Sequence, residues 1–373
     1  MDVRPLKAAL EKPGPYASVY VDVSRNTEDA DKQVELRSRA VGEDLVTQGA
    51  PQTLADRVVE RLQEHTGAAG SVARLVVAAE AEILLDDVVP RQGGPETVTW
   101  GPWPDVTAWI ADRESMPGPV LQVLADREGA DLTLFQDWPG PAIAEEQLHG
   151  DTLHINKVAG GDWAQVNYQR RSENVWRRNA NDVAAEIAAM ADRGATWVAL
   201  AGDLRAVADV RDAVDESVRS LLVDLETGGR AAGGSDEALH EAMDRAALEI
   251  VGRRRAAVAA ELAEQLRHDG AVTGIAPVLD ALTQGQVRIV IIDPPVLTEH
   301  EVRLRDHPGI PTPPGSDDRA MPQRADLVIG WQAARTDADV VVPSDPELTP
   351  PDPAPGPFLD DGVAAILRWS TKV

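Results

Sequence analysis

The chain has 373 residues, of which 43% are hydrophobic and 26% charged. This balance is typical of globular proteins, and the length favours more than one domain. Its 36 Lys and Arg residues face 62 Asp and Glu residues, so the net charge of −26 argues against general attraction to nucleic acid or anionic membranes. The absence of cysteine excludes disulfides, thiolate zinc sites and a cysteine nucleophile. No apolar run approaches the ~18 residues of a membrane span, and the N-terminus lacks a signal-peptide core, so we expect a cytoplasmic protein.

The first part of the chain alternates between strand and helix patterns, which predicts an α/β layer. Apolar residues at helical spacing mark the segment between Arg25 and Arg61, and Trp100, Trp103 and Trp109 are expected to pack a loop onto the sheet. Strands are expected over residues 17–23, 74–79 and 82–85. Pro and Gly at residues 116–119 predict a boundary, so the first domain is placed at residues 1–117.

A second α/β unit is predicted at residues 118–265. It begins with a β-hairpin whose strands cover residues 120–126 and 131–135. A long helix begins soon after Gly161 and ends near Arg193, with an apolar face from Val183 onward. The hairpin and helix are followed by a buried strand at residues 196–201 and by a helix at residues 237–267.

The last unit is predicted at residues 266–373. Residues 274–282 are expected to form a helix, and strands are expected over residues 287–293, 326–330 and 340–342. Proline-rich stretches at residues 308–322 and 343–357 predict surface loops, and an apolar segment at residues 362–369 closes the chain.

The start of the long helix is the most basic part of this acidic chain. Residues 169–178 hold four arginines and one glutamate, a local net charge of +3. Arginine interleaved with Tyr168 and Trp176 is typical of phosphate pairing combined with base stacking. A solvated helix with ordinary ion pairs between residues four apart is the alternative.

A second basic site follows on the helix of residues 237–267. Its members are Arg253, Arg254 and Arg255, with Arg245 before them. The site is either an RNA contact or a solvated helix face that pairs with Glu249 and Glu261.

A glycine pair at residues 160–161 stands before the first basic helix, and Gln165 follows it. This pattern resembles the tip of the middle domain of archaeo-eukaryotic release factors, where a Gly-Gly-Gln loop enters the peptidyl transferase centre. Residues 274–293 and 361–369 are similar to the third domain of that family, and residues 14–22 resemble its bacterial members. The whole chain thus resembles the bacterial release factor/Pelota-like family, and within it the Balon-type ribosome hibernation factors, including mycobacterial ones.

The resemblance implies three α/β domains in a tRNA-like, Pelota-type arrangement, with an RNase H-like middle domain and a C-terminal α/β sandwich of the kink-turn-binding kind. It implies a ribosome partner, with rRNA contacted at the acceptor site, and a GTPase such as EF-Tu, but no DNA and no membrane. The residues expected to contact RNA are Gly160, Gly161, Asp162, Trp163, Gln165, Arg170, Arg171, Arg177, Arg178, Arg253, Arg254 and Arg255.

The loop departs from the family pattern at the residue that would act in catalysis. Asp162 stands where release factors have Gln, and a carboxylate cannot donate a hydrogen bond at neutral pH. Gln165 would substitute only in a remodelled loop, and no Asn-Ile-Lys-Ser tip for stop codons is present in the first domain. The sequence therefore predicts a non-catalytic hibernation or stress factor in the acceptor site, without metal or cofactor. A rescue peptidyl-tRNA hydrolase acting through the Gly-Gly loop and a stress-related protein scaffold remain the alternatives.

Overall fold

The computed structural model of the chain describes residues 6–7, 12–68, 70–80, 82–91, 93–149, 162–226, 236–313, 319–343 and 359–369, with the backbone alone for 162–176 and 236. The chain divides into two compact units. Unit 1 consists of Met1–Ser115 together with Gly252–Val373, and unit 2 of Met116–Val251. The flanking segments of the chain thus share one unit, and the middle segment forms the other.

The N-terminal segment of unit 1 contains a four-stranded antiparallel sheet in the order β3-β2-β1-β4. Two helices pack their apolar residues against one face of this sheet, where Val19 and Val76 are paired neighbours in the core. The elements are β1 (Tyr16–Asp22), α1 (Ala30–Thr47), α2 (Gln52–Gln63), β2 (Val72–Ala79), β3 (Glu82–Pro90), β4 (Thr97–Gly101) and α3 (Thr107–Glu114).

Unit 2 has a five-stranded sheet in the order β7-β6-β5-β8-β9. Strands β5, β6 and β7 form an antiparallel meander, and β8 and β9 run parallel to β5, the RNase H-like order expected for this segment. Helices α4 and α5 cover one face, and α7 covers part of the other. The elements are β5 (Val120–Asp126), β6 (Gly129–Phe135), β7 (Ala142–His149), α4 (Asp162–Ala191), β8 (Trp197–Gly202), α5 (Leu204–Ala213), α6 (Glu216–Arg219), β9 (Leu222–Asp224) and α7 (Asp236–Arg267).

The C-terminal segment of unit 1 adds a second four-stranded sheet, in the order β10-β15-β11-β14, and a two-stranded ribbon of β12 and β13. In the sheet only β11 and β14 run parallel. The elements are β10 (Ala271–Thr273), α8 (Ile275–Thr283), β11 (Val287–Ile292), α9 (Pro294–Leu297), β12 (Glu301–Arg303), β13 (Pro322–Arg324), α10 (Ala325–Arg335), β14 (Asp339–Val341) and β15 (Val363–Leu367).

One predicted strand is wrong. Residues 326–330 lie in helix α10, which continues to Arg335 and buries Trp331, Ala333 and Ala334 on its way. The three apolar residues Leu327, Val328 and Ile329 are too few to show a period, so a buried helix and a buried strand look alike in such a window. The helix is favoured because apolar residues continue beyond Gly330 for about one further turn, at Trp331, Ala333 and Ala334.

The two segments of unit 1 are joined by a buried ionic cluster and an aromatic contact. Arg324 donates from Nη1 to Asp105 Oδ2 at 2.8 Å and binds Asp326 through Nε and Nη2 at 3.0 and 2.6 Å. Trp103 packs edge-on against Trp331 with ring centroids 5.1 Å apart. The tryptophan-rich loop therefore packs against α10 as well as against its own sheet.

The α/β fold class expected from the sequence is confirmed, with several sheets, mixed strand directions and packed helices. Among the described helices, none combines the length and apolar composition that a membrane span requires.

Candidate RNA-contacting helix and its base

The predicted tip of the middle segment lies at the start of α4. Gly160 and Gly161 are outside the described residues, and α4 begins at Asp162. The first turns of the helix carry Trp163, Gln165, Arg170 and Arg171, whose backbone is helical. Their contacts with RNA stay predictions, as does the remodelling that would let Gln165 replace the amide missing at Asp162.

The described part of the basic stretch is exposed. Arg177 and Arg178 lie on the surface of α4, seven positions after Arg170 and Arg171. Seven residues are close to two helical turns, so the two pairs share one side of the helix.

The second half of α4 anchors the helix to the sheet. Ala180, Val183, Ile187 and Met190 are buried at helical spacing in one core with β5, β6 and α5, as the apolar pattern from Val183 predicted. About 25 Å of helix precedes this anchor, since each residue adds 1.5 Å.

The anchor begins with a buried amide. Asn179 is 4% exposed, and its Nδ2 donates to the carbonyl oxygen of Arg127 at 3.0 Å in the turn between β5 and β6. The turn itself is stabilised by Asp126, whose Oδ1 accepts from the backbone N–H of Glu128 at 2.8 Å. The last exposed arginines of α4 are thus held next to the β5–β6 turn.

The same turn is tied to the start of α5. Asp203 caps α5 by accepting from the backbone N–H groups of Arg205 and Ala206 at 3.0 and 3.2 Å, and Arg127 Nη2 lies 3.5 Å from its Oδ2. Partial burial opposes ionisation of Asp203, but the cap hydrogen bonds and the charge of Arg127 outweigh it and lower the pKa of this carboxyl. The base of α4 therefore contacts the β5–β6 turn, and Arg127 of that turn lies beside the N-cap residue of α5.

The second basic site has a structural partner that the sequence did not indicate. Glu114 is completely buried, and its Oε1 accepts from Arg254 Nη2 at 3.0 Å while its Oε2 accepts from Arg255 Nη2 at 2.7 Å. Arg254 also donates to the backbone carbonyl oxygen of Glu114. Ion pairing with α3 thus replaces the expected pairing of these arginines along their own helix.

The other residues named for this site have different surroundings. Arg253 is exposed, and Glu261, one of the expected partners, instead binds Arg288. RNA contact at this site stays a prediction, and the structure gives Arg254 and Arg255 a role in holding unit 1 together.

Sequence reasoning missed Asn179, Arg127 and Asp203 as the base of α4. Asp203 carries a recognisable pattern, an Asp between a buried strand and an amphipathic helix, which is typical of a helix N-cap. No pattern marks the other two, because their contact joins residues 52 positions apart in the chain.

The segment that contains α4 and its base matches a known protein family. Residues 119–268 match the model of bacterial archaeo-eukaryotic release factor family 2. The central part of the chain resembles release factors. The match includes the meander, α4, its base and α7.

The chain is also similar to two relatives and to two solved structures. The uncharacterized proteins Rv2629 and MT2704 of two Mycobacterium tuberculosis strains are 27% identical to this chain over 287 residues, 75% of each sequence. Pelota of Archaeoglobus fulgidus is 15% identical over 95% of this chain and 96% of its own, with a TM-score of 0.35. Dom34 of S. cerevisiae, described as a translation termination-like factor involved in RNA quality control, is 12% identical over 81% of each chain, with a TM-score of 0.40.

Proposed function

We propose that this protein is a ribosome-binding factor that occupies the acceptor site and acts there without catalysis, as a cytoplasmic hibernation or stress factor of the Balon type. The observation that carries the proposal is the match of residues 119–268 to a bacterial release factor family. Helix α4, with its arginine pairs, lies inside the matched segment. An EF-Tu-like GTPase is the protein partner that belongs with this proposal.

The charge distribution supports an RNA partner for α4. On a chain of net charge −26, attraction to rRNA must be concentrated in local basic surfaces. Residues 169–178 provide such a surface, and its described members Arg177 and Arg178 are exposed. Guanidinium groups pair with phosphates in the planar, two-pronged geometry that a lysine lacks.

The absence of catalysis is proposed from the residue at position 162. A release factor-like reaction needs a group that can orient water at the ester, and an ionised Asp162 cannot donate a hydrogen bond to it. The rescue hydrolase with Gln165 in that role is the competing function within the same family. A stress-related scaffold that binds only proteins is the third, and the acidic composition keeps it in consideration.

The first experiment measures co-sedimentation with purified ribosomes over a range of salt concentrations. The quadruple variant of Arg170, Arg171, Arg177 and Arg178 to Gln should bind at least tenfold more weakly at moderate salt, about 1.4 kcal/mol or more. Its salt dependence should also be less steep, because each lost phosphate contact removes somewhat under one unit of slope in DNA systems. Far-UV circular dichroism should stay close to that of the unmodified protein.

The matched control removes four exposed arginines outside both basic sites, at positions 193, 205, 267 and 303. It changes the net charge equally and should bind ribosomes nearly as well as the unmodified protein. Equal weakening in both variants would mean that overall charge, and not α4, governs binding. No binding by any form would favour the protein scaffold.

A second experiment separates the two ribosomal functions. We expect no release of nascent peptide from stalled ribosomes, and Asp162→Gln alone should create little activity, since Trp163 and Ala164 also depart from the family loop. Peptide release that falls on Gln165→Ala would replace our proposal with the hydrolase.

A further inference from the structure

The outer edge of β7 is an open sheet edge. In the order β7-β6-β5-β8-β9, β7 is the terminal strand, and within the described part of the chain no strand pairs with its outer side. It has eight residues, all of them exposed or half-buried. In an antiparallel ladder every second residue points its N–H and C=O groups away from its neighbour, so β7 presents a row of backbone donors and acceptors.

The edge has few of the features that usually block strand addition. Such edges are commonly protected by charged side chains, above all lysine, by proline, by short length or by a bulge. Of these, β7 has Glu145, Glu146 and one bulge. Strand β7 contains no lysine and no proline, and its single irregularity, the extra residue Ile143, lies near its start. Residues Ala144–His149 pair regularly with β6, and Ile143 is 52% exposed beside them.

The formally charged side chains near this edge are all acidic. Residues 129–149, which include β6 and β7, contain four carboxylates and no lysine or arginine. Glu145 and Glu146 are neighbours on β7 and therefore point to opposite faces of the sheet. A strand added to this edge would meet an acidic side chain on both faces.

We propose that the outer edge of β7 is a docking site for an extended peptide segment rich in lysine or arginine, which adds to the sheet as a sixth strand. Backbone hydrogen bonds would supply binding, and basic side chains beside Glu145 and Glu146 would supply selectivity. A second copy of this chain is a poor occupant, because pairing two β7 edges would bring like charges together. The site does not depend on the proposed function, since its features are those of the sheet itself.

The test uses the full chain and three fluorescent eight-residue peptides measured by anisotropy at 150 mM salt. The first repeats Lys-Lys-Val-Val, which places lysines on both faces of an added strand, the second replaces each Lys with Glu, and the third is the Lys peptide methylated on every backbone nitrogen. The methylated peptide keeps its charge but has no N–H groups with which to pair. We expect the unmethylated Lys peptide to bind at least tenfold more tightly than either of the others.

Two double variants test whether the Lys peptide binds at β7. Glu145→Lys with Glu146→Lys should weaken binding of the Lys peptide at least tenfold, whereas Glu216→Lys with Glu241→Lys, which changes the charge equally at exposed positions of the same unit, should weaken it less than threefold. Hydrogen exchange of residues 142–149 should slow when the Lys peptide is bound.

Three results would overturn the proposal. Equal binding of the methylated and unmethylated Lys peptides would mean that an acidic protein simply attracts a cation. Unchanged exchange of residues 142–149 would place the peptide elsewhere. Concentration-dependent dimers that disappear in the Glu145→Lys, Glu146→Lys variant would make a second copy the occupant.

Discussion

At the residue scale, the most consequential side chain is Glu114. It is fully buried, and its carboxylate is bound by Arg254 and Arg255, with Arg255 also donating to Ser115 Oγ at 2.8 Å. A buried carboxylate is stable only when its charge and lone pairs are matched, and removal of one partner from such a group is far costlier than loss of a surface ion pair. Glu114 therefore holds the start of the C-terminal segment against α3.

We expect Glu114→Gln to lower the free energy of unfolding by at least about 2 kcal/mol, because it leaves two guanidinium groups without their shared carboxylate. The control is Glu249→Gln on the exposed face of α7, which should change stability by under about 0.5 kcal/mol. Urea denaturation of both variants measures the difference. A loss as small as that of the control would show that the arginines are satisfied by water.

The environment of Asp105 predicts that this residue's contribution to stability depends on pH. It is 1% exposed, and it shares Arg324 with Asp326. Burial raises the pKa of this carboxyl, Arg324 lowers it, and the neighbouring charge of Asp326 raises it, with a net increase. Asp105 thus holds its proton more tightly in the folded protein than in the unfolded chain.

This predicts that stability from Asp105 is fully present below the ordinary Asp pKa of 3.8 and is lost as the pH rises through the raised native pKa. The unmodified protein should therefore gain stability relative to Asp105→Asn as the pH falls from 7 toward 4.5. Urea denaturation at several pH values measures this gain, with Asp44→Asn at an exposed position of α1 as the control. A stability difference between Asp105→Asn and the unmodified protein that does not vary with pH would contradict it.

At the scale of elements, the junction after β8 depends on a glycine. Gly202 has φ of +133°, and a Cβ placed there would lie 1.9 Å from the carbonyl oxygen of Ala125 on β5. The close approach positions Asp203, whose backbone N–H donates to that same oxygen at 3.0 Å, to cap α5. The pairing of β5 with β8 and the capping of α5 by Asp203 therefore both require glycine at position 202.

Gly202→Ala should destabilise the protein by about 3 kcal/mol or more, since both the backbone conformation and the contact with Ala125 must change. Gly252→Ala is the matched control in the middle of α7, where no described atom beyond the adjoining helix backbone and the two chain neighbours lies within 4 Å of the added methyl group. It should stabilise the protein by about 0.5–1 kcal/mol, because alanine favours helix more than glycine. Thermal unfolding of the two variants should give shifts of opposite sign, and shifts of the same sign would contradict this account.

The sequence predicts some of the helices and strands more accurately than others. The bounds predicted for the long helices α4 and α7 agree with the structure within a few residues, because glycines flank both helices and neither contains proline. Strand β7 was missed, since its sequence is polar and alternates weakly at an exposed edge. Helix α10 was mistaken for a strand because a short apolar run has no period of its own.

At the scale of the whole molecule, unit 2 is an insertion in unit 1. The chain leaves unit 1 at Ser115 and re-enters it at Gly252. These two points are close in space, because Arg255, less than one helical turn after Gly252, donates to the side chain of Ser115 at 2.8 Å. A short linker can therefore bridge them.

We expect a chain in which residues 116–251 are replaced by a short Gly/Ser linker to fold and unfold cooperatively. The two flanking segments supply each other's buried partners, among them Glu114 for Arg254 and Trp103 for Trp331. Residues 1–115 alone should lack cooperative unfolding, because Trp103 and Glu114 would lose those partners. Near-UV circular dichroism during thermal unfolding tests both chains. Cooperative unfolding of residues 1–115 alone would contradict the mutual dependence.

The sequence by itself determined the α/β class, the long helices and the basic stretch in an acidic chain, because composition and periodicity are local properties that are visible in a single window. It also carried the resemblance to release factors that the family match over residues 119–268 supports in its coarser form. Only the tertiary structure decided that Arg254 and Arg255 bind Glu114, that Asn179 anchors α4 at Arg127, and that the two ends of the chain share one unit. These contacts join residues 52 to 141 positions apart. Their partners are selected by burial and by the need to satisfy charge there, and no pattern along the chain records that selection.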